Sequence, residues 1–354
     1  MSDDRTMVTE LGTALGTLGF PDLSSALAGR PHELRIGSET WDRLETVHAE
    51  KGFAVEFGVA FENGQALLAA PDGLRGRKPR IIEWTGGRRA PGDEVAPIDL
   101  RIDHVYLISC KYESDILANT SPARLFEGLL AMSGTWNRDD WFEVVAFDEL
   151  IALYAGCLAA TGLIHFPATP GLCTREQHRE LRDALTGRTY PNEETRAAYA
   201  TLCRTVSTVS AQRWESRLRD ADIGSELMVW RLLRIGSAPY FVLGIDRHTG
   251  LPVQYRIASP WDWRDEFEVL EFVVTAGAAG QPRVDWTCRY RPRQPGPHQP
   301  RTVAGHIEIR WSHGRFAQPP EAKIYLDTPM DELPGYHRLS EGDEPQLTLW
   351  STTA

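Results

Sequence analysis

Lysine is nearly missing from this chain: of its 38 basic residues only four, at positions 51, 78, 111 and 323, are lysine, and the rest are arginine. A lysine inside an apolar strand is therefore poorly explained as generic surface choice. Cysteine is sparse too. The five cysteines are odd in number and scattered, and no pair has C-x-x-C spacing, which argues against a disulfide framework and against a zinc site. Long apolar runs are absent. Stretches such as 150–155 fall far short of a membrane span, so no membrane partner is expected. The start, MSDDRTMVTE, lacks a basic-plus-apolar leader pattern, and a cytoplasmic location is expected. Excess positive charge is lacking as well. A net charge of −11 argues against non-specific coating of nucleic acid, whose affinity comes from neutralised phosphates. It leaves room for a local basic cleft.

What is present is ordinary globular material. The 354 residues, 42% hydrophobic and 25% charged, suggest two domains or one large elaborated one. A long helix is expected over 39–69, ending at Pro71-Asp72-Gly73, followed by a short strand over 81–84. A hairpin pattern follows, 97–102 and 105–112, with Asp103-His104 at its turn. Ser121-Pro122 reads as the capped start of a helix to about 133, and 141–147 reads as a strand. Residues 148–237 read as helical, with a capping box at Thr174-x-x-Gln177 and a long helix over 191–220. From Pro239 the pattern turns to strands, at 240–246, 252–258, 266–275, 283–290, 303–311 and 321–327. Three regions are expected: 1–147, a helical 148–237 and a β-rich 238–354.

The chemistry is concentrated in VAPIDLRIDHVYLISCKYES, residues 95–114. Phosphodiester hydrolysis with Mg²⁺ needs oxygen ligands and a cation near the attacked phosphate, and a β-hairpin supplies both compactly. With a two-residue turn at Asp103-His104, Ile102 faces Val105 and Asp99 faces Ile108, one position from Ser109. Side chains alternate along a strand, so Val105, Leu107, Ser109 and Lys111 share a face, and Asp99 and Lys111 can approach one phosphate. Cys110 falls on the opposite face as a small core residue.

Pro97-Ile98-Asp99, followed ten residues after the acid by Ser109 of Ser109-Cys110-Lys111, resembles the PD-(D/E)XK nuclease superfamily. Gly58-x-x-x-Glu62 resembles its first-helix glutamate. The order helix, strand, hairpin, helix, strand across 40–147 is similar to its restriction-endonuclease-like αβββαβ core, within an overall α/β chain. The resemblance implies a Mg²⁺- or Mn²⁺-dependent DNA endonuclease or exonuclease, of the kind that serves restriction, phage defence or repair. It implies catalytic roles for Glu62, Asp99, Ser109 and Lys111. The chain departs from the pattern at Ser109, where a carboxylate is usual. Serine is the poorer Mg²⁺ ligand, and the replacement expected is Glu127 or Glu113.

Each reading has a plainer rival. Glu62 could be a solvated helix residue, Asp99 a strand-entry acid and Lys111 a strand-end lysine. The basic stretch of Arg75, Arg77, Lys78, Arg80, Arg88 and Arg89 is either a solvated loop or a set of phosphate contacts that position DNA. Two alternatives to an active nuclease follow: an inactive nuclease fold that binds DNA or a partner, with Ser109 as its mark, and an interaction protein working through the β-rich C-terminal region.

Overall fold

Apolar residues recur every three or four positions near the start, and Met7, Val8, Leu11, Ala14, Leu15 and Leu18 are all buried, as a helix seated by one face requires. The computed structural model describes residues 2–85, 97–112, 116–131, 139–163, 165–187, 190–221, 224–247, 249–277, 280–294 and 299–339. Its elements begin with α1 (Ser2–Gly16), α2 (Leu23–Gly29), β1 (Leu34–Arg35), α3 (Ser38–Ala49), α4 (Ala54–Ala69) and β2 (Ile82–Trp84). The hairpin follows as β3 (Leu100–Ile102) and β4 (Tyr106–Tyr112), then β5 (Ile116–Thr120), α5 (Pro122–Phe126), α6 (Trp141–Val145) and α7 (Phe147–Thr161). Next come α8 (Arg175–Ala184), α9 (Glu193–Asp220), α10 (Ser225–Leu232), β6 (Tyr240–Ile245), β7 (Pro252–Ile257) and α11 (Pro260–Glu266). The chain continues through β8 (Phe267–Gly277), β9 (Arg283–Pro292), β10 (Arg301–Arg310), β11 (Glu321–Leu326) and β12 (Tyr336–Arg338). Among the described residues no helix is long and apolar enough to cross a membrane.

The protein is mixed α/β and divides into two units, the first made of Met1–Ser114, Leu233–Glu266 and Met330–Ala354, the second of Asp115–Leu232 and Phe267–Pro329. The division differs from the three consecutive regions expected. The strands after 238 are shared out: β6, β7 and β12 join the sheet of the first unit, and β8 to β11 build the sheet of the second. Residues 238–354 are therefore not a separable C-terminal domain.

In the first unit a sheet runs in the order β1-β2-β3-β4-β6-β7-β12. The pairs β1/β2 and β4/β6 are parallel, and the others antiparallel. One face, with Leu100, Ile102, Ile108, Phe241 and Leu243, shares a core with Leu11 and Leu15 of α1 and Phe57, Phe61 and Leu67 of α4. The two helices cross almost backbone to backbone. A Cβ on Gly16 would lie 2.0 Å from the Phe61 carbonyl oxygen, and one on Gly64 2.1 Å from that of Thr13. Gly64→Ala must push the helices apart and is expected to cost about 1–3 kcal/mol. Gly58→Ala, on the same helix with nothing within 4 Å, should instead be neutral or stabilise by up to about 1 kcal/mol. Equal denaturation midpoints for the two variants would refute this account of the crossing.

The second unit is an antiparallel sheet, β5-β11-β10-β9-β8, with α9 packed on β8 and β9 and α7 packed on α9. Its helices start as their sequences dictate. The Thr174/Gln177 capping box is present, a second one joins Asn192 and Thr195 at the start of α9, and Ser121 caps α5 with Pro122 in its first turn. Trp141, Trp214 and Trp286 are fully buried, and Trp141 Nε1 donates to Ser210 Oγ at 2.9 Å.

Three local expectations are corrected. The helix over 39–69 is two helices, broken at Lys51-Gly52-Phe53, where Lys51 and Phe53 take φ of 55° and 57°. The strand over 141–147 is α6 leading into α7, started by Asp140, whose side chain accepts from Phe142 N–H at 2.9 Å. A short run of aromatic and β-branched residues fits a buried helix as well as a strand. The hairpin register is shifted by one: Ile102 pairs with Tyr106 and Leu100 with Ile108, so Asp99 comes opposite Ser109. Asp103 and His104 both take left-handed φ, 49° and 62°, and Val105 joins the turn through its N–H to the Ile102 carbonyl.

Candidate functional site

Strand β3 is shorter than its partner. The ladder ends at Leu100, where β3 begins, while β4 runs on to Tyr112, so the Cys110 N–H loses the ladder partner that continued pairing would supply. The Asp99 carboxylate takes that place, and the Cys110 N–H donates to Asp99 Oδ2 at 2.6 Å. Burial is the largest influence on Asp99 and holds its carboxyl above the usual range. The Cys110 N–H, the Lys111 and Arg234 charges and the Ser109 side chain all work against that rise. Ser109 is fully buried, and its hydroxyl makes no well-formed hydrogen bond. Cys110 packs against the core face, where burial pushes its thiol up.

The carboxylate coupled to Asp99 is that of Glu10, on α1. Glu10 is 7% exposed and accepts from Trp84 Nε1, on β2. Burial, and then the charge of Asp99, push it up to about 7, against the pull of the Trp84 bond. Lys111 lies half-buried on β4, with its backbone against Gly244 of β6, where a Cβ would sit 1.6 Å from the Lys111 carbonyl oxygen. Arg234 is 6% exposed, in a left-handed conformation with φ of 57°. Its carbonyl accepts from the Tyr240 hydroxyl at 3.0 Å.

Asp99 and Lys111 are thus brought together, with Ser109 beside them. Glu62 is exposed on α4, and the residue of that helix that engages the sheet is its neighbour, Asn63. Asn63 Nδ2 donates to the Gly244 carbonyl at 2.9 Å, and its Oδ1 accepts from Gln254 Nε2 at 2.8 Å. Glu127 belongs to the second unit, where it accepts from Arg213 at 2.7 Å. Its carboxylate is engaged there by the Arg213 guanidinium. Glu113, Arg88 and Arg89 lie outside the described residues. Arg75, Arg77, Lys78 and Arg80 are exposed. Asp103 serves the backbone, accepting from the N–H groups of Arg80 and Ile81 at 2.8 and 3.0 Å.

Glu10 and Arg234 were absent from the expected set, yet each carries a signal. Glu10 stands on the apolar stripe of α1, three residues after Met7 and four before Ala14, and Arg234 interrupts Leu232-Leu233-x-Ile235. Charges at such positions are seldom fully buried without a partner. Among the described residues no group of three or more His, Cys, Asp or Glu side chains is placed to hold a metal ion. The donor set fits Mg²⁺ of the sparsely held kind, which takes one or two carboxylates and fills its other positions with water and substrate phosphate. Two adjacent acids, both held above their usual range, are what a divalent cation would stabilise in ionised form. Comparison with family models, with curated proteins and with solved structures gives no match.

Proposed function

We propose that the first unit is a metal-dependent nuclease of the PD-(D/E)XK kind that hydrolyses phosphodiester bonds in DNA. The observation that carries this reading is the coupling of Asp99 to Lys111 on adjoining strands, with Glu10 as a second carboxylate beside Asp99. Connectivity supports it. After α4 come three strands, β2, β3 and β4, in an antiparallel meander, and then β6 parallel to β4. That order agrees with an αβββαβ core whose crossover has been expanded to hold residues 115–232. The exposed cations at 75, 77, 78 and 80, just before β2, suit phosphate contacts that position a duplex.

Asp99 and Glu10, with the exposed Glu62 as a further candidate, would hold Mg²⁺ or Mn²⁺. The ion would supply Lewis-acid polarisation of a phosphoryl oxygen. Lys111 would orient the attacking water and stabilise developing negative charge. Arg234 holds a second positive charge close to Asp99 and favours its ionised form, against the larger effect of burial. A role in restriction, phage defence or repair is an analogy with the superfamily.

One observation favours an inactive nuclease fold that only binds. Asp99 Oδ2 is engaged by the Cys110 N–H, and Glu10 by Trp84, so both acids already have structural work. Metal titration separates the readings. The nuclease should bind Mn²⁺ in calorimetry and cleave plasmid or linear DNA with Mg²⁺ or Mn²⁺, and Asp99→Ala should lose both while keeping its far-ultraviolet circular dichroism. Folded wild-type protein that neither binds Mn²⁺ nor cleaves would leave the inactive reading standing.

A further inference from the structure

The second unit holds a pocket of about 800 Å³ that the nuclease reading does not use. Its wall is built from one stripe of α9. Arg196, Ala200 and Arg204 recur at every fourth position, beside Tyr199, Cys203 and Ser207, so two adjoining rows of the helix face the same space. The opposite wall comes from Arg310 and from the loop after β10, with Trp311 and Arg315. Among the described residues four arginines line this pocket and no acid does, in a chain whose net charge is −11.

The arginines are of two kinds. Two are held in place. Arg315 lies 4.2 Å over the Tyr190 ring and donates to the Leu185 carbonyl at 2.9 Å, and Arg310 is set by Glu308 at 3.1 Å and the Tyr325 hydroxyl at 3.2 Å. The other two, Arg196 and Arg204, are exposed. Arg196 pairs with Glu193, itself 87% exposed. Such a solvated pair is weak and yields readily to a phosphate, which accepts the guanidinium fork with two parallel hydrogen bonds. Part of the lining is aromatic: Trp311, and Tyr190 with Arg315 over its ring and the Tyr199 ring 4.7 Å away.

We propose that this pocket binds a nucleoside phosphate, its phosphates on the four arginines and its base against the aromatic wall. The volume is within the range of small-molecule sites, flat aromatic faces stack any base, and arginine is the residue suited to phosphate. This site is independent of the nuclease reading and stands or falls separately.

The test is a fluorescence titration of the full chain with ADP carrying a methylanthraniloyl label, followed by displacement with unlabelled ADP, GDP, CDP and UDP. Saturable binding is expected, with adenosine alone and pyrophosphate alone each competing more weakly than ADP. Arg204→Ala and Arg310→Ala should each weaken binding about tenfold or more, the scale of one charge-assisted hydrogen bond. Arg219→Ala, exposed on the same helix and paired with Glu215, should leave it unchanged. Thermal melts establish that each variant folds, and Trp311→Phe offers a milder change that should weaken binding if the base rests there. Absence of saturable binding at millimolar nucleotide overturns the proposal. Equal affinity in the Arg204 and Arg310 variants does so too. So does pyrophosphate competing as well as ADP, which would leave an anion site without a base, or an oligonucleotide competing better than any nucleotide.

Discussion

Lys111→Arg is expected to cleave DNA almost as poorly as Lys111→Ala, each slower than the wild type on the order of 100- to 1000-fold, the usual consequence of losing one positioned electrostatic contact. The chain employs arginine nearly everywhere, so a lysine here points to a need that arginine does not meet. A compact ammonium with three rotatable donors can serve a water and a phosphate together, whereas the planar guanidinium fork prefers one flat partner. The surroundings sharpen the difference. Lys111 lies on a strand held tightly against Gly244, and its charge is shared with the half-buried Asp99. A longer, branched side chain would have to be accommodated beside that acid. Both variants should fold, because the ammonium is no large part of the core. Cleavage of plasmid and linear DNA with Mg²⁺ or Mn²⁺, beside a thermal melt, decides the matter. Near-wild-type cleavage by Lys111→Arg would show that positive charge alone suffices, and activity surviving in Lys111→Ala would remove the residue from the mechanism.

The parts of this site that were legible in advance are those governed by local rules. Alternation along 105–112 placed Ser109 and Lys111 on one face, turn residues marked the hairpin, and serine and threonine caps marked two helix starts. The strands from 240 to 326 were legible for the same reason. What escaped is non-local. The parallel neighbour of β4 is β6, at Tyr240–Ile245, beyond the whole 115–232 excursion, and no local pattern names a partner at that separation. A nearer run, 141–147, therefore filled the fourth-strand role in the linear reading, and it is helical. The register slipped by one because the turn takes three residues rather than two, and one residue of slip changes which side chains are neighbours. Glu10 escaped for a related reason: α1 precedes the hairpin by more than eighty positions, and only the crossing of α1 on α4 and β2 brings its carboxylate to Trp84 and Asp99.

Glu10→Gln is expected to stabilise the protein at pH 8 and to leave it nearly unchanged near pH 4. In the folded chain the Glu10 carboxyl is pushed up from 4.5 to about 7, first by burial and then by Asp99. The sign follows from proton counting. Between pH 4.5 and 7 the unfolded chain has released this proton while the folded chain still holds it, so stability falls as pH rises through that window. Below it both states are protonated and the residue is neutral in each. Above it the folded state carries a buried carboxylate at a cost on the order of 3 kcal/mol, at roughly 1.4 kcal/mol per pKa unit. Glutamine stays uncharged throughout, and its Oε1 can still accept from Trp84. It also removes the repulsion between Glu10 and Asp99, which is already counted in the raised Glu10 value. Asp140, pushed up to about 7 by burial in the second unit, slopes the same way in both proteins and cancels in the comparison. Urea denaturation at half-unit pH steps should give midpoints that coincide near pH 4 and separate steadily to pH 8. Mn²⁺ bound between the two acids would stabilise the wild type at pH 8 far more than Glu10→Gln and so narrow the gap. A difference that stays flat with pH would show that Glu10 titrates as an ordinary surface acid and that no coupled pair of carboxylates exists here. A pH-dependent gap that Mn²⁺ fails to narrow would keep the pair but assign it a structural role, with Asp99 capping β4 and Glu10 anchoring Trp84.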